Sequence, residues 1–139
     1  VNMTAEAAAL TAYMEVLPRR AESASHARRL VSSALRQWEL TELDENARLV
    51  VSELVTNTVL HAVHDLIWVR VNQPRPDRVQ ILVSDLSMRV PRPRASIGVT
   101  DESGRGLRLV EALCDGRWGV QRMSWGKQVW AQLSLAADG

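Results

Sequence analysis

The stretch Leu49-Val-Val-Ser-Glu-Leu-Val-Thr-Asn-Thr-Val-Leu-His-Ala62 decides the fold. Together with the residues just before it, it repeats at three- and four-residue steps. Ala47, Val50, Val51, Leu54, Val55 and Thr58 therefore share one side of a helix. Thr41 is placed to cap that helix, with Asp44 and Glu45 in its first turn, where the helix dipole favours negative charge. The helix is expected to run to His61 or Ala62. Each residue turns it by about 100°, so Glu53 and Asn57 project from nearly the same side, at the rim of the apolar face. Asn46 and His61 extend that polar stripe in both directions. A carboxylate at such a rim can orient or deprotonate a nucleophile. An amide oxygen beside it can ligate Mg²⁺, which favours hard oxygen donors. By spacing alone, a solvated helix face reads the same way.

Working outward, Tyr13 to Leu17 reads as a short strand stopped by Pro18, and Glu22 to Trp38 as a helix. Ala27, Leu30, Val31, Ala34, Leu35 and Trp38 line one face of that helix. Beyond Ala62, Leu66–Val71 and Val79–Leu86 read as strands joined by the turn Pro74-Arg-Pro76-Asp77. Ser87 to Gly106 holds Pro91, Pro93, Gly98, Gly104 and Gly106 without any period, the mark of a long loop. A short helix is expected from Leu107. Two closing strands, Trp118–Met123 and Lys127–Leu135, flank a turn at Ser124-Trp125-Gly126. This order predicts an α+β, two-layer domain, with an antiparallel-rich sheet covered by helices on one face.

Composition narrows the class. The 139 residues suit one domain, long enough to bury a core without disulfide or metal support. Seventeen Lys and Arg against sixteen Asp and Glu leave a net charge of +1, which argues against a dedicated nucleic-acid binder or a polybasic membrane anchor. A lone cysteine, Cys114, excludes an intrachain disulfide framework and a multi-cysteine zinc site, and reads as a small core residue. No apolar run reaches the ~18 residues of a membrane span, and no basic-then-apolar leader opens the sequence, so a cytoplasmic location is expected.

Two further features carry chemistry. Asp85 ends an apolar strand where the long loop begins, and can accept a hydrogen bond from an exocyclic amino group or simply cap the turn. In Ser103-Gly104-Arg105-Gly106-Leu107 a loop feeds a helix. Glycines there let the backbone approach a phosphate, and the free N–H groups of a helix start attract anions. It is not a dinucleotide fingerprint, because Leu109 stands where the third glycine belongs, and there is no Walker A motif.

A helix with Glu-x-x-x-Asn, a strand ending in Asp, a long loop, Gly-x-Gly, a helix and a hairpin, in that order, resembles the GHKL superfamily of Bergerat-fold ATP-binding domains. Leu49–Ala62 is similar to the N box of its anti-sigma-factor serine-kinase branch. Gly104-Arg-Gly-Leu-Arg-Leu-Val-Glu-Ala-Leu-Cys-Asp-Gly-Arg-Trp-Gly119, followed by Gly126-Lys-Gln-Val-Trp-Ala131, resembles the compact, stand-alone actinobacterial-type members. The resemblance implies a single ATP-binding domain over residues 13–135, between a lead-in at 1–12 and a tail at 136–139. It also implies a mixed, mostly antiparallel sheet. Glu53 matches the general base, Asn57 the Mg²⁺ ligand, and Asp85 the carboxylate that reads adenine. Gly104 and Gly106 match the phosphate-loop hinges, and residues 88–103 the ATP lid. Ser87, Arg105, Leu107 and Lys127 complete the expected ATP-binding set. The function implied is Mg-ATP-dependent phosphorylation of a serine on an anti-sigma-factor antagonist of the STAS type, or sequestration of a sigma factor, in a chain that is often a homodimer. A non-catalytic ATP-binding module acting by sequestration is the alternative. Two positions depart from the pattern. Asp85-Leu86-Ser87 stands where Asp-x-Gly is usual, and Lys127 and Gln128 follow Gly126 where Thr is usual.

The remaining candidates read both ways. His61 and His64 form H-x-x-H without a third ligand, and His61 matches a histidine common after the N box. Arg89, Arg92 and Arg94 suit phosphates, a partner's acidic surface, or solvent. Arg19, Arg20, Arg28 and Arg29 offer a partner surface or an ordinary solvated one. Trp38, Trp68, Trp118 and Trp130 fall on element faces and are expected in the core, whereas Trp125 lies in the hairpin turn.

Overall fold

The computed structural model describes residues 11–62, 64–85, 101–124 and 126–135. Strand β1 (Ala12–Pro18) leads into helix α1 (Ser23–Gln37), a 3-10 turn (Thr41–Leu43) and helix α2 (Asp44–His61). Strands β2 (Leu66–Asn72) and β3 (Arg78–Asp85) follow, then helix α3 (Asp101–Cys114) and strands β4 (Trp118–Met123) and β5 (Gly126–Ser134). The sheet order is β1-β2-β3-β5-β4, with every pair antiparallel. The α+β class stands. The mixed character expected of the sheet is absent among the described strands, because the connection through α3 and β4 returns β5 antiparallel beside β3.

Alternation along each strand shows which face is covered. Ile67, Val69 and Val71 on β2, Val79, Ile81 and Val83 on β3, and Val129, Ala131 and Leu133 on β5 are all buried. They meet Ala27, Val31, Ala34 and Leu35 of α1, the α2 set Ala47, Val50, Val51, Leu54 and Val55, and Val110 and Cys114 of α3. A strand shows alternate residues to opposite faces, so the intervening positions lie on the uncovered side. Met14, Val16, Leu66 and Trp68 are exposed there. Trp68 is therefore not a core residue: Ile67 and Val69 take the covered face and Trp68 the open one. Trp38 and Trp118 pack at the core's edge. Trp38 meets Tyr13 with ring centroids 5.6 Å apart, and Trp118 donates its indole N–H to Glu111 Oε2 at 2.7 Å. Trp125 lies outside the described residues.

Two helix starts differ from expectation by more than one residue. Thr41 begins a 3-10 turn rather than capping α2, whose first residue is Asp44. Helix α3 begins at Asp101, six residues before Leu107, so Ser103, Gly104, Arg105 and Gly106 are helical rather than a loop. Glycine costs about 1 kcal/mol in a helix interior, and two in three residues read as a break. Packing of α3 on α2 and β5 outweighs that local penalty.

The fold generates two predictions. Gly119 on β4 pairs with Trp130 on β5, and an added Cβ would lie 2.8 Å from the indole Nε1. Gly119→Ala is expected to destabilise the chain by about 1–3 kcal/mol in urea unfolding, and an unchanged midpoint would show that the ring swings aside freely. Cys114 is buried, and burial foremost, with Glu111 adding, raises its thiol from 9.0 to about 11 against a backbone hydrogen bond from Gln132. The unfolded thiol ionises first, so its contribution to stability is complete below pH 9 and is lost as pH rises toward 11. Alkylation at pH 8, followed by mass spectrometry, is expected to be much slower in the native chain than in urea.

Candidate functional site

Helix α2 is the common neighbour of the candidate residues, since it packs against α1, α3, β3 and β5. Its buried side holds the six residues expected from the periodicity, with Asn57 added at 9% exposure. Glu53, one turn earlier, is half-buried. Neither Glu53 nor Asn57 makes a side-chain hydrogen bond or ion pair among the described residues. Leu49 and Leu60, by contrast, are exposed on the same helix. A helix that buries an amide while showing two leucines to solvent inverts the usual arrangement. Leu49, Glu53, Thr56 and Leu60 fall within about 60° of one another around the axis, with Asn57 at the edge of that stripe.

Asp85 ends the inward-facing row Val79, Ile81, Val83 of β3, and so points to the helix-covered face. It is 9% exposed. Its Oδ1 is buried without a hydrogen-bond partner. Ser84, one residue earlier, faces the other way and accepts a hydrogen bond from Gln128 Nε2 at 3.2 Å. Ser84 pairs with Gln128 across β3 and β5. Continuing that register by one residue sets Lys127 opposite Asp85, on the same face. Lys127, not Gln128, thus takes the place beside the expected base-reading carboxylate, and Gln128 belongs to the open face.

His64 was legible only as half of an H-x-x-H, and the structure gives it a different place. Its Nδ1 lies 3.6 Å from Asp85 Oδ1, and His61 closes α2 one turn earlier. No spacing rule points to this contact, which depends on how the α2–β2 connection folds back over the end of β3. Arg19 holds that connection. Its Nε donates to His64 O at 2.6 Å and Nη1 to Val59 O at 3.3 Å, while its backbone N–H donates to Asp65 O at 2.7 Å. Arg19 is therefore spent inside the fold rather than offered to a partner. Arg28 bridges Ser25 and Ser52 by hydrogen bonds to both hydroxyls, and Arg20 and Arg29 remain exposed.

Gly104, Arg105, Gly106 and Leu107 lie in the first half of α3, which packs against α2. Of the expected lid, residues 101–103 are the first turn of that helix, and 88–100 lie outside the described residues. Ser87, Arg89, Arg92 and Arg94 lie outside them too.

The histidine kinase-like ATPase domain model matches residues 17–133, from the end of β1 to the end of β5. The chain belongs to that family. Comparison with curated proteins returns no match. ATP is the ligand that membership in this ATPase family implies, and the residues present fit it. The buried carboxylate of Asp85 suits the amino group of a base. The unpartnered amide of Asn57 suits a hard cation that takes its other ligands from phosphates and water. Among the described residues no three His, Cys, Asp or Glu side chains are grouped to hold a metal by themselves. None of the described helices of this ATPase domain is long and apolar enough to cross a membrane.

Asn57 provides the test of this site. Its amide holds no other side chain in place, so Asn57→Ala is expected to lower stability by no more than about 1–2 kcal/mol. Mg-ATP binding by calorimetry is expected to disappear. Retained affinity in a folded variant would remove Asn57 from the site.

Proposed function

We propose that this ATPase domain is a Mg-ATP-dependent regulatory serine protein kinase of the anti-sigma-factor type. It would work in the cytoplasm, phosphorylating a serine of a STAS-type antagonist protein or holding a sigma factor. The observation that carries this reading is the α2 stripe, with a half-buried, unpartnered Glu53 between exposed Leu49 and Leu60. A carboxylate without a cation or donor beside it is free to take a proton. Exposed leucines on either side suit an acceptor carried on a protein surface, where apolar contact contributes to docking.

When bound, Mg-ATP supplies the γ-phosphoryl group, and the metal spreads its negative charge. The chain's own work is positioning, which dominates phosphoryl transfer. Asp85 accepts from the amino group of the base at one end of the site. Asn57 would hold the metal through its amide oxygen. The first turn of α3 would offer helix N–H groups to the phosphates. Glu53 then accepts the proton of the acceptor serine as its oxygen bonds to phosphorus and the bond to the leaving phosphate oxygen breaks.

Glu53→Ala separates transfer from binding. The variant is expected to keep ATP affinity within about threefold and to lose phosphoryl transfer by at least about a hundredfold. The assay pulls down proteins with and without ATP and reads serine phosphorylation by mass spectrometry. A wild-type chain that captures its partner in an ATP-dependent manner, yet never phosphorylates it, would make the domain a sequestering module rather than a kinase.

A further inference from the structure

We propose that His64 is a positioning residue for nucleotide-base recognition, holding Asp85 by one carboxylate oxygen so that the other is presented to the base. The proposal rests on the reading of Asp85 as the residue that meets the amino group of the base. It assigns a role to a side chain which that reading does not use.

His64 Nδ1 and Asp85 Oδ1 face each other at 3.6 Å. Both atoms are buried, and neither has a hydrogen-bond partner among the described residues. Buried polar groups in folded proteins are almost always paired, and these two atoms are counterparts of each other. An ionised carboxylate can only accept. The contact therefore requires a proton on Nδ1, and a shift of less than about 1 Å completes a normal N–H···O bond. The histidine side cannot drift easily. Arg19 ties the carbonyl of His64 at 2.6 Å and that of Asp65 at 2.7 Å to the end of β1. The carboxylate is set by the sheet, with Asp85 in register with Ile67 of β2.

The consequence concerns specificity. A carboxylate free to rotate presents either oxygen in many directions. One held through Oδ1 fixes the directions of the Oδ2 lone pairs. A donor there, such as the 6-amino group of adenine, meets a preorganised acceptor. A base with a carbonyl at that position brings acceptor against acceptor, and the held carboxylate cannot turn away to relieve it.

The experiment measures Mg-ATP and Mg-ITP binding by calorimetry to the full chain, since inosine carries a carbonyl where adenine has the amino group. The wild type is expected to favour ATP by at least about tenfold. His64→Ala is expected to lose about tenfold in ATP affinity while ITP affinity barely moves, so that the ratio collapses. His64→Asn places an amide N–H where Nδ1 was and is expected to restore most of the ratio. His64→Gln, whose amide falls nearer the Nε2 position, is not. A purely structural role would weaken both nucleotides together, so an unchanged ATP/ITP ratio in folded His64→Ala overturns the proposal. If His64→Ala does not fold, equal ratios in the Asn and Gln variants overturn it. Discrimination by the wild type that is lost in Asp85→Asn but kept in His64→Ala leaves Asp85 as the base reader and removes His64. A wild type with no preference for ATP removes both.

Discussion

Burial of the apolar side of α2 is the constraint on which the other elements depend. Ala47, Val50, Val51, Leu54 and Val55 are fully shielded, and their helix packs against α1, α3, β3 and β5. Five such side chains contribute several kcal/mol, comparable with the whole net stability of a domain. No other element has neighbours on so many sides. The candidate site residues consequently lie on a rigid element. Glu53 and Asn57 lie at the edge of the best-packed helix, and catalysis by positioning needs groups that do not wander.

The same reasoning explains the second anchor. Between α2 and β2 the chain must reverse in a few residues, and a short connection has few hydrogen bonds of its own. Arg19 supplies them from outside, through two side-chain donors and its backbone N–H. One arginine at the end of β1 thus holds the connection that carries His64. The charge of Arg19 suggested a surface role, but its five N–H donors are what the fold uses.

Much of this was legible in the sequence, and the failures share a cause. The α2 face was readable to the residue, because a helix that buries one stripe must repeat at three and four. Strand positions were readable to within a residue for the same reason, with a period of two. What periodicity cannot say is which of two sheet faces will be covered. Trp68 was expected in the core because it falls on a strand face, but Ile67, Val69 and Val71 are the alternate set that meets the helices. The Lys127–Gln128 pair raised the same question, and the pleat sends the lysine toward Asp85 and the glutamine away. The start of α3 was hidden by Gly104 and Gly106, whose local preference is overridden by contacts from α2 and β5. The His64–Asp85 contact left no trace in spacing at all, because it joins residues brought together only by the turn that Arg19 holds.

Asp85 shows why site and core cannot be separated here. Along β3 the inward positions run Val79, Ile81, Val83 and then Asp85, so a carboxylate continues an apolar row. Burying a charged group without partners is costly, and nothing in the packing of β3 needs it, since another Val would extend the core. The chain accepts the cost at the one place where the row reaches the end of the sheet, beside the connection that carries His64 and opposite Lys127. A polar group retained against packing, at the mouth between helix and sheet, is the arrangement expected of a side chain kept for a ligand rather than for the fold. The sheet therefore has a division of labour along its length. Its middle holds α2 in place, and its β3 terminus carries the buried carboxylate that the proposed base recognition would use.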